Sequence, residues 1–178
     1  MRPKIWLKPT RAQEIRRIVE DLLLKVKFAE LPVPVEAVAK TLDISVKFAP
    51  YSEGDLAGML ILQPRPTIAV NSAHHRNRQR FTIAHEIGHF LLHKKESIHI
   101  DEKMAVLYRD KNSSMAINPQ EVEANHFAAE LLMPKRILLK DLANKQIDLE
   151  EDEILLNLAK RYGVSQQAMA FRIANILS

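Results

Sequence analysis

The sequence predicts an α+β fold, in which a mostly helical frame surrounds a small antiparallel β-sheet of about three strands and ends in a pair of helices. Three observations support this prediction. Apolar residues recur every three or four positions over most of the chain, as in amphipathic helices. Three short β-compatible segments lie between residues 44 and 70. A glycine and a serine interrupt the last helical stretch, which indicates two helices joined by a tight turn.

The first part of the chain contains two helices and then the strands. Apolar positions follow a helical period over residues 10–28, with charged residues on the other face. Pro32 and Pro34 interrupt this pattern, and residues 35–42 are expected to form a short second helix. The predicted strands are residues 44–48, 56–62 and 67–70, of which the last two form a hairpin across residues 63–66.

The second part of the chain is helical apart from one long polar segment. Residues 94–119 lack clear periodicity, and loops this long inside a domain are usually functional or disordered. We therefore expect this segment to border the functional cleft. A short helix is predicted for residues 135–145, and an acidic link follows at residues 148–153.

Residues 154–177 predict two helices around a turn, because Gly163 can end the first and Ser165 can cap the second. This arrangement resembles a helix-turn-helix. A helix that reads DNA should expose several basic or amide side chains. The second helix offers only one charged residue among its candidates, which are Gln166, Gln167, Arg172 and Asn175. The sequence thus favours packing support for the rest of the chain over direct DNA binding.

The 178 residues suffice for one domain with a sizeable core and a small appendage. We divide them into a domain of residues 1–134 and a C-terminal helical subdomain of residues 135–178 packed on it. With 47% hydrophobic and 27% charged residues, the composition is typical of a soluble globular protein. The chain has no cysteine, which excludes disulfides and thiolate metal ligands, so any metal must be held by histidines and carboxylates.

The net charge of +4 and the sequence pI near 9.3 are mildly basic. The densest basic run is residues 74–80, which could be an exposed helix start or a rim that attracts an acidic substrate segment. Prolines and charges within residues 1–9 do not fit a signal peptide. No stretch approaches the roughly 20 apolar residues of a membrane span. We therefore expect a cytoplasmic protein without a membrane partner.

The strongest functional signal is an H-E-x-x-H motif formed by His85, Glu86 and His89 on an otherwise apolar helix. Residues four apart lie on the same face of a helix, so the two imidazoles can reach a single ion. Zinc is the metal whose catalytic sites use neutral imidazole and carboxylate oxygen. Glu86 lies about 100° round the helix from His85 and is the expected general base towards the attacking water. The alternative is a helix with two core histidines satisfied by hydrogen bonds.

A third metal ligand should come from another element. His93 continues the same spacing but lies about 12 Å along the axis from His85, too far to close on one ion. Downstream, an apolar helix carries Glu121 and Asn125 four residues apart on one face. Glu121 is the predicted ligand, and Asn125 is expected to hydrogen-bond a ligating histidine. Glu123 faces another side and is the lesser candidate.

Other polar residues near this motif have weaker assignments. Tyr108, His99 or Arg109 could stabilise an oxyanion from the long polar segment, although each is more typical of a surface residue. His93 could support a ligand, contact substrate or cap the helix end. His126 faces another side of its helix than Asn125 does, and it is interpreted as structural.

The motif R-Q-R-F-T-I-A-H-E-I-G-H-F-L-L-H at residues 78–93, followed by E-x-x-A-N-x-F-A-A-x-L-L-M-P at residues 121–134, resembles the ImmA/IrrE family of zinc-dependent metallo-endopeptidases. Residues 31–40 and 54–58 are also similar to the family's helical lead-in and strand entry. The resemblance implies that residues 1–134 are a zincin-like metallopeptidase domain. It further implies His85, His89 and Glu121 as zinc ligands and Glu86 as catalytic base. The implied substrate is a helix-turn-helix transcriptional repressor, cut in a stress response or on induction of a mobile element.

Two rival functions remain open from the sequence. A DNA-binding regulator would use the C-terminal helix pair, and its salt-dependent DNA affinity would survive loss of metal. A non-catalytic interaction module, such as a repressor or toxin partner with a residual metal site, would keep its function after Glu86→Gln.

Overall fold

A computed structural model describes residues 7–51, 56–93, 98–101, 118–143 and 152–177. These ranges contain seven helices and four strands. The helices are α1 (Pro9–Lys25), α2 (Val35–Thr41), α3 (Arg76–Leu92), α4 (Pro119–Leu132), α5 (Lys135–Ala143), α6 (Asp152–Tyr162) and α7 (Gln166–Leu177). The strands are β1 (Ser45–Ala49), β2 (Gly58–Ile61), β3 (Thr67–Asn71) and β4 (Ile98–Asp101).

The strands form one sheet in the order β1-β3-β2-β4. The predicted hairpin is confirmed, since β2 and β3 are antiparallel with Leu60 opposite Ile68. The expectation of a wholly antiparallel sheet was wrong, because β1 runs parallel to β3 with Val46 opposite Ile68. The segment predicted as a loop contributes β4, which pairs antiparallel with β2. The sheet is therefore mixed, while the mostly helical α+β class is confirmed.

Helix α3 occupies the centre of the molecule. It packs against β2 and β3 on one side and against α4 on another. Every residue from Thr82 to His89 is buried, which fits the apolar character of this helix in the sequence. Helix α1 packs on α4 through a face that includes Ile15, Val19 and Leu22. The polar residues of α3 thus lie inside a shell of helices and sheet.

The C-terminal helix pair has the predicted turn. Gly163 has a φ of +63°, a conformation that favours glycine, and its position after Tyr162 ends α6. The Ser165 hydroxyl accepts a hydrogen bond from the backbone N–H of Ala168 at 3.1 Å and so caps α7. The domain boundary after residue 134 stays a prediction.

Arg80 of α3 makes hydrogen bonds to an early and to a late segment of the chain. Its guanidinium donates to the carbonyl of Gly163 at 3.1 Å and to the carbonyl of Val33 at 2.9 Å. The side chain is only 5% exposed, and burial lowers the pKa of Arg80 although Glu36 opposes this effect. Arg80 is therefore a packing residue and not part of an exposed basic rim.

No helix in the described part of the chain has both the length and the apolar character that crossing a bilayer demands.

Candidate metal centre

Helix α3 places His85 and His89 side by side in the protein interior. The helix is capped at its start by His75, whose Nδ1 accepts a hydrogen bond from the backbone N–H of Asn77 at 3.2 Å. His85 is fully buried and His89 is 2% exposed. Their Nε2 atoms are 3.0 Å apart, as the four-residue spacing predicts.

Helix α4 brings a carboxylate to the same point. Glu121 lies in its first turn, which follows the N-cap Asn118. One oxygen of Glu121 is 3.3 Å from His85 Nε2, and the other is 3.3 Å from His89 Nε2. These three residues form a group whose potential ligand atoms all lie within 4.8 Å of one another. The structure thus brings together the two histidines of α3 and the carboxylate predicted from α4.

The spacing of these atoms fits a tetrahedral metal ion. Bonds of about 2.0–2.1 Å, as in zinc sites, require ligand atoms about 3.3–3.4 Å apart. The two Nε2 atoms are 3.0 Å apart, and each lies 3.3 Å from a different oxygen of the Glu121 carboxylate. Two imidazole nitrogens and a carboxylate also form a ligand set that several divalent metals accept. His85, His89 and Glu121 could therefore hold a metal ion without large movement.

Gly88 allows the two ligand helices to approach closely. A Cβ at this position would lie 3.2 Å from the Cα of Ala124 and 3.2 Å from the Cβ of Phe127. Both neighbours belong to α4, and Ala124 would be met at its backbone. The absence of a side chain at Gly88 therefore helps to set the distance between the helix of the two histidines and the helix of Glu121.

Asn125 supports His85 from behind. Its side-chain oxygen accepts a hydrogen bond from His85 Nδ1 at 3.1 Å. With the proton on Nδ1, the lone pair of His85 is on Nε2, the atom that faces Glu121. The ring of Phe81 stacks on the other side of His85, at 6.2 Å between centroids. The His85 ring is thus fixed in both orientation and tautomer.

Glu86 follows His85 on α3 and is fully buried. It does not belong to the group of three potential ligands. Its role as proton acceptor stays a prediction, which rests on its burial and on its place next to His85 in the sequence.

His93 lies on the far side of His89 from the ligand atoms. It ends α3, and its Nδ1 is 3.3 Å from Nδ1 of His89. Its Nε2 is 3.1 Å from Oε2 of Glu123. That same oxygen accepts hydrogen bonds from Arg11 of α1 at 2.6 and 3.0 Å. The sequence indicates a possible supporting role for His93 but none for Arg11. Arg11 is 112 residues from Glu123 in the chain, so no short-range motif relates the two.

Glu123 is held in its charged form by these neighbours. Burial raises its pKa, but the hydrogen bonds from Arg11 and His93 outweigh burial and leave the pKa below its usual value. From its position in the sequence, Glu123 is the lesser candidate for a metal ligand. In the structure its carboxylate instead contacts the histidine behind His89.

The other predicted contacts are Tyr108, Arg109 and His99. Tyr108 and Arg109 lie outside the described residues. His99 belongs to β4, where its backbone position pairs with Leu60 of β2.

His126 is a histidine of α4 whose Nε2 is buried without a hydrogen-bond partner among the described residues. Burial lowers its pKa, and the nearby Arg172 acts in the same direction while Glu130 opposes both. The structural role predicted for His126 is consistent with this environment.

We expect His126 to make the folded protein less stable as the pH falls below about 6.5, the ordinary pKa of histidine. In that range the unfolded chain binds a proton that the folded protein binds only at lower pH, so acid favours unfolding. Urea unfolding at about pH 7.5 and about pH 5.5, with a chelator present throughout, measures this loss. His126→Gln should lose less stability between the two pH values than the wild type. Equal losses in both proteins would contradict the prediction.

A groove of about 430 Å³ adjoins the site without including it. It is bordered by Phe81 and Asn125, which both contact His85, and by side chains of α1 and α7. His85, His89 and Glu121 are not among the residues that line it. The groove therefore lies behind the ligand cluster.

Comparison with known proteins agrees with this geometry. The sequence model of the Peptidase_M78 family, described as the IrrE N-terminal-like domain, matches residues 39–174. The match includes the three residues of the ligand group and its neighbour Glu86, and it excludes Arg11. A search among curated proteins finds no match to the chain.

Proposed function

Because the chain belongs to the Peptidase_M78 family of IrrE N-terminal-like domains, and therefore contains a metallopeptidase-type domain, we propose that it is a zinc-dependent endopeptidase. The observation that carries the proposal is the group of buried His85 and His89 with partly exposed Glu121, and buried Glu86 next to His85 in the sequence. The proposed substrate is a helix-turn-helix transcriptional repressor. Its cleavage would relieve repression in a stress response or during induction of a mobile element, in the cytoplasm.

In this proposal His85, His89 and Glu121 hold the zinc ion. When bound, zinc would supply a Lewis acid that polarises the peptide carbonyl and lowers the pKa of water. Glu86 takes the proton from the attacking water and later delivers it to the nitrogen of the leaving amine. Burial of Glu86 keeps bulk water from competing for this proton.

An extended substrate could be held by the edge of the sheet. The strand order places β1 and β4 at the two edges. Strand β4 follows α3 in the chain and is antiparallel to β2. Its outer main-chain groups could pair with a substrate segment, which would bind an unfolded peptide without strong sequence selection. We propose β4 as the edge that receives the substrate.

The first test combines metal content with cleavage. The zinc-loaded protein is incubated with the helix-turn-helix repressor encoded nearest its gene, and the products are identified by mass spectrometry. We expect about one zinc per chain and a discrete cut, with cleavage lost in 1,10-phenanthroline and restored by added zinc. A protein that binds no metal would overturn the proposal. So would a protein that alters repressor activity without cutting it, since this outcome supports an interaction module.

A further inference from the structure

We propose that Arg11, Glu123 and His93 form a hydrogen-bonded support that orients His89 for metal binding. Helix α1, which precedes the matched residues 39–174, would then be a functional part of the metal centre. This inference rests on the proposed metallopeptidase function and adds positioning residues to it.

The support is a continuous series of contacts from the interior to the surface. His89 contacts His93 at 3.3 Å, and His93 contacts Glu123 at 3.1 Å. Glu123 accepts two hydrogen bonds from Arg11. Exposure of the side chains rises along the series, from 2% at His89 to 11% at His93, 20% at Glu123 and 27% at Arg11. The charged end is therefore near solvent, while the end at the ligand is buried.

Only one arrangement of protons makes every contact in this series a hydrogen bond and leaves His89 able to bind metal. Its Nε2 must carry a lone pair, so its proton lies on Nδ1 and is donated to Nδ1 of His93. His93 must then carry its own proton on Nε2, which it donates to Glu123. Arg11 completes the series by donating to the same carboxylate oxygen, and it keeps that carboxylate in place. Glu123 thus fixes the tautomer of His93, and His93 fixes the tautomer of His89.

The two ligating histidines are supported in different ways. His85 donates to the neutral side chain of Asn125, which is on the same helix as Glu121. His89 is linked through His93 to an ion pair between α4 and α1. Residues that hold a metal-ligating histidine typically contribute about 10- to 100-fold to metal affinity. We expect an effect of this size although Glu123 and His93 separate Arg11 from His89 in this series.

The test compares Arg11→Met and Glu123→Gln with Arg17→Met, a matched control at an exposed position of the same helix. Zinc dissociation constants are measured by competition with a chromogenic chelator. We expect both support variants to bind zinc about 10- to 100-fold more weakly than the wild type, with Arg17→Met unchanged. The double variant should have the same zinc affinity as the single variant that binds zinc more weakly. Both substitutions interrupt the same series of hydrogen bonds, so their effects should not add.

Two further measurements separate positioning from simple stability. Urea unfolding of the metal-free proteins shows whether each variant is folded, and long-range ¹H–¹⁵N spectra report the tautomer of His89. We expect Nδ1 protonation of His89 in the wild type and a mixture of tautomers in Arg11→Met. Wild-type zinc affinity in both folded support variants would overturn the inference and leave the proposed function intact. A wild type that binds no zinc would overturn both.

Discussion

Glu86→Gln is expected to lower kcat for peptide-bond cleavage by about 10²- to 10⁴-fold, the usual contribution of a general base. The substitution keeps the size of the side chain and removes its ability to take a proton from water. Because Glu86 lies outside the group of potential ligands, zinc stoichiometry should not change. Cleavage of the repressor by equal amounts of zinc-loaded wild type and variant, followed over time, measures the effect.

Glu121→Gln is the appropriate control for this experiment. It also replaces a carboxylate with an amide, but at a residue whose two oxygens face His85 and His89 at 3.3 Å. We expect this variant to lose zinc affinity together with activity. Loss of both properties in Glu86→Gln would contradict the assignment of Glu86 as base, and so would a wild-type rate of cleavage.

Arg172→Met should lower the free energy of unfolding by about 3–5 kcal/mol, the typical cost of removing one partner from a buried ion pair. Arg172 is 7% exposed, and it donates to Glu130 at 2.5 Å and to the carbonyl of Met133 at 3.0 Å. Glu130 is 2% exposed and also accepts from the backbone of Lys135. The variant would leave this carboxylate in the interior without its main countercharge. Urea unfolding of the metal-free proteins measures the loss.

Arg161→Met provides a matched comparison, because it makes the same substitution on the neighbouring helix of the pair. Arg161 is 59% exposed and lies 3.5 Å from Asp141. An exposed pair of this kind is worth about 0–1 kcal/mol. If Arg172→Met were as mild as Arg161→Met, the buried pair would not be what holds α7 to α4.

The burial of Arg172 also bears on the resemblance of α6 and α7 to a helix-turn-helix. Arg172 was the only charged candidate for a DNA contact in the second helix. Its guanidinium is committed to Glu130 and Met133, so it cannot reach a phosphate without breaking a buried ion pair. The ion pair of Arg172 with Glu130 on α4 accounts for this charge without a nucleic acid.

The ligand cluster could be predicted from the sequence because its geometry is mostly local. A spacing of four residues determines how His85 and His89 face each other, and the same spacing relates Glu121 to Asn125. Helix bounds, the hairpin and the turn at Gly163 follow from periodicity and from residues that break it. These features depend on neighbours within a few residues.

Features that depend on distant parts of the chain could not be predicted. The parallel pairing of β1 with β3 depends on how the chain crosses between them, which alternation within each strand does not specify. Strand β4 lies in a segment too polar to stand out. Arg80 belonged to a basic run that suggested exposure, yet its partners are 47 and 83 residues away. Arg11 reaches Glu123 across 112 residues.

The contacts of Arg80 also have a consequence for the newly made chain. Its acceptor at Val33 is synthesised 47 residues earlier, but the acceptor at Gly163 is synthesised 83 residues later. At about 5–20 residues per second, translation reaches Gly163 roughly 4–17 s after Arg80. During this interval the nascent chain already contains both histidines of the motif, but α3 lacks one of the contacts that hold it in place. The packing of α3 through Arg80 is therefore complete only after Gly163, close to the last helix, has been translated.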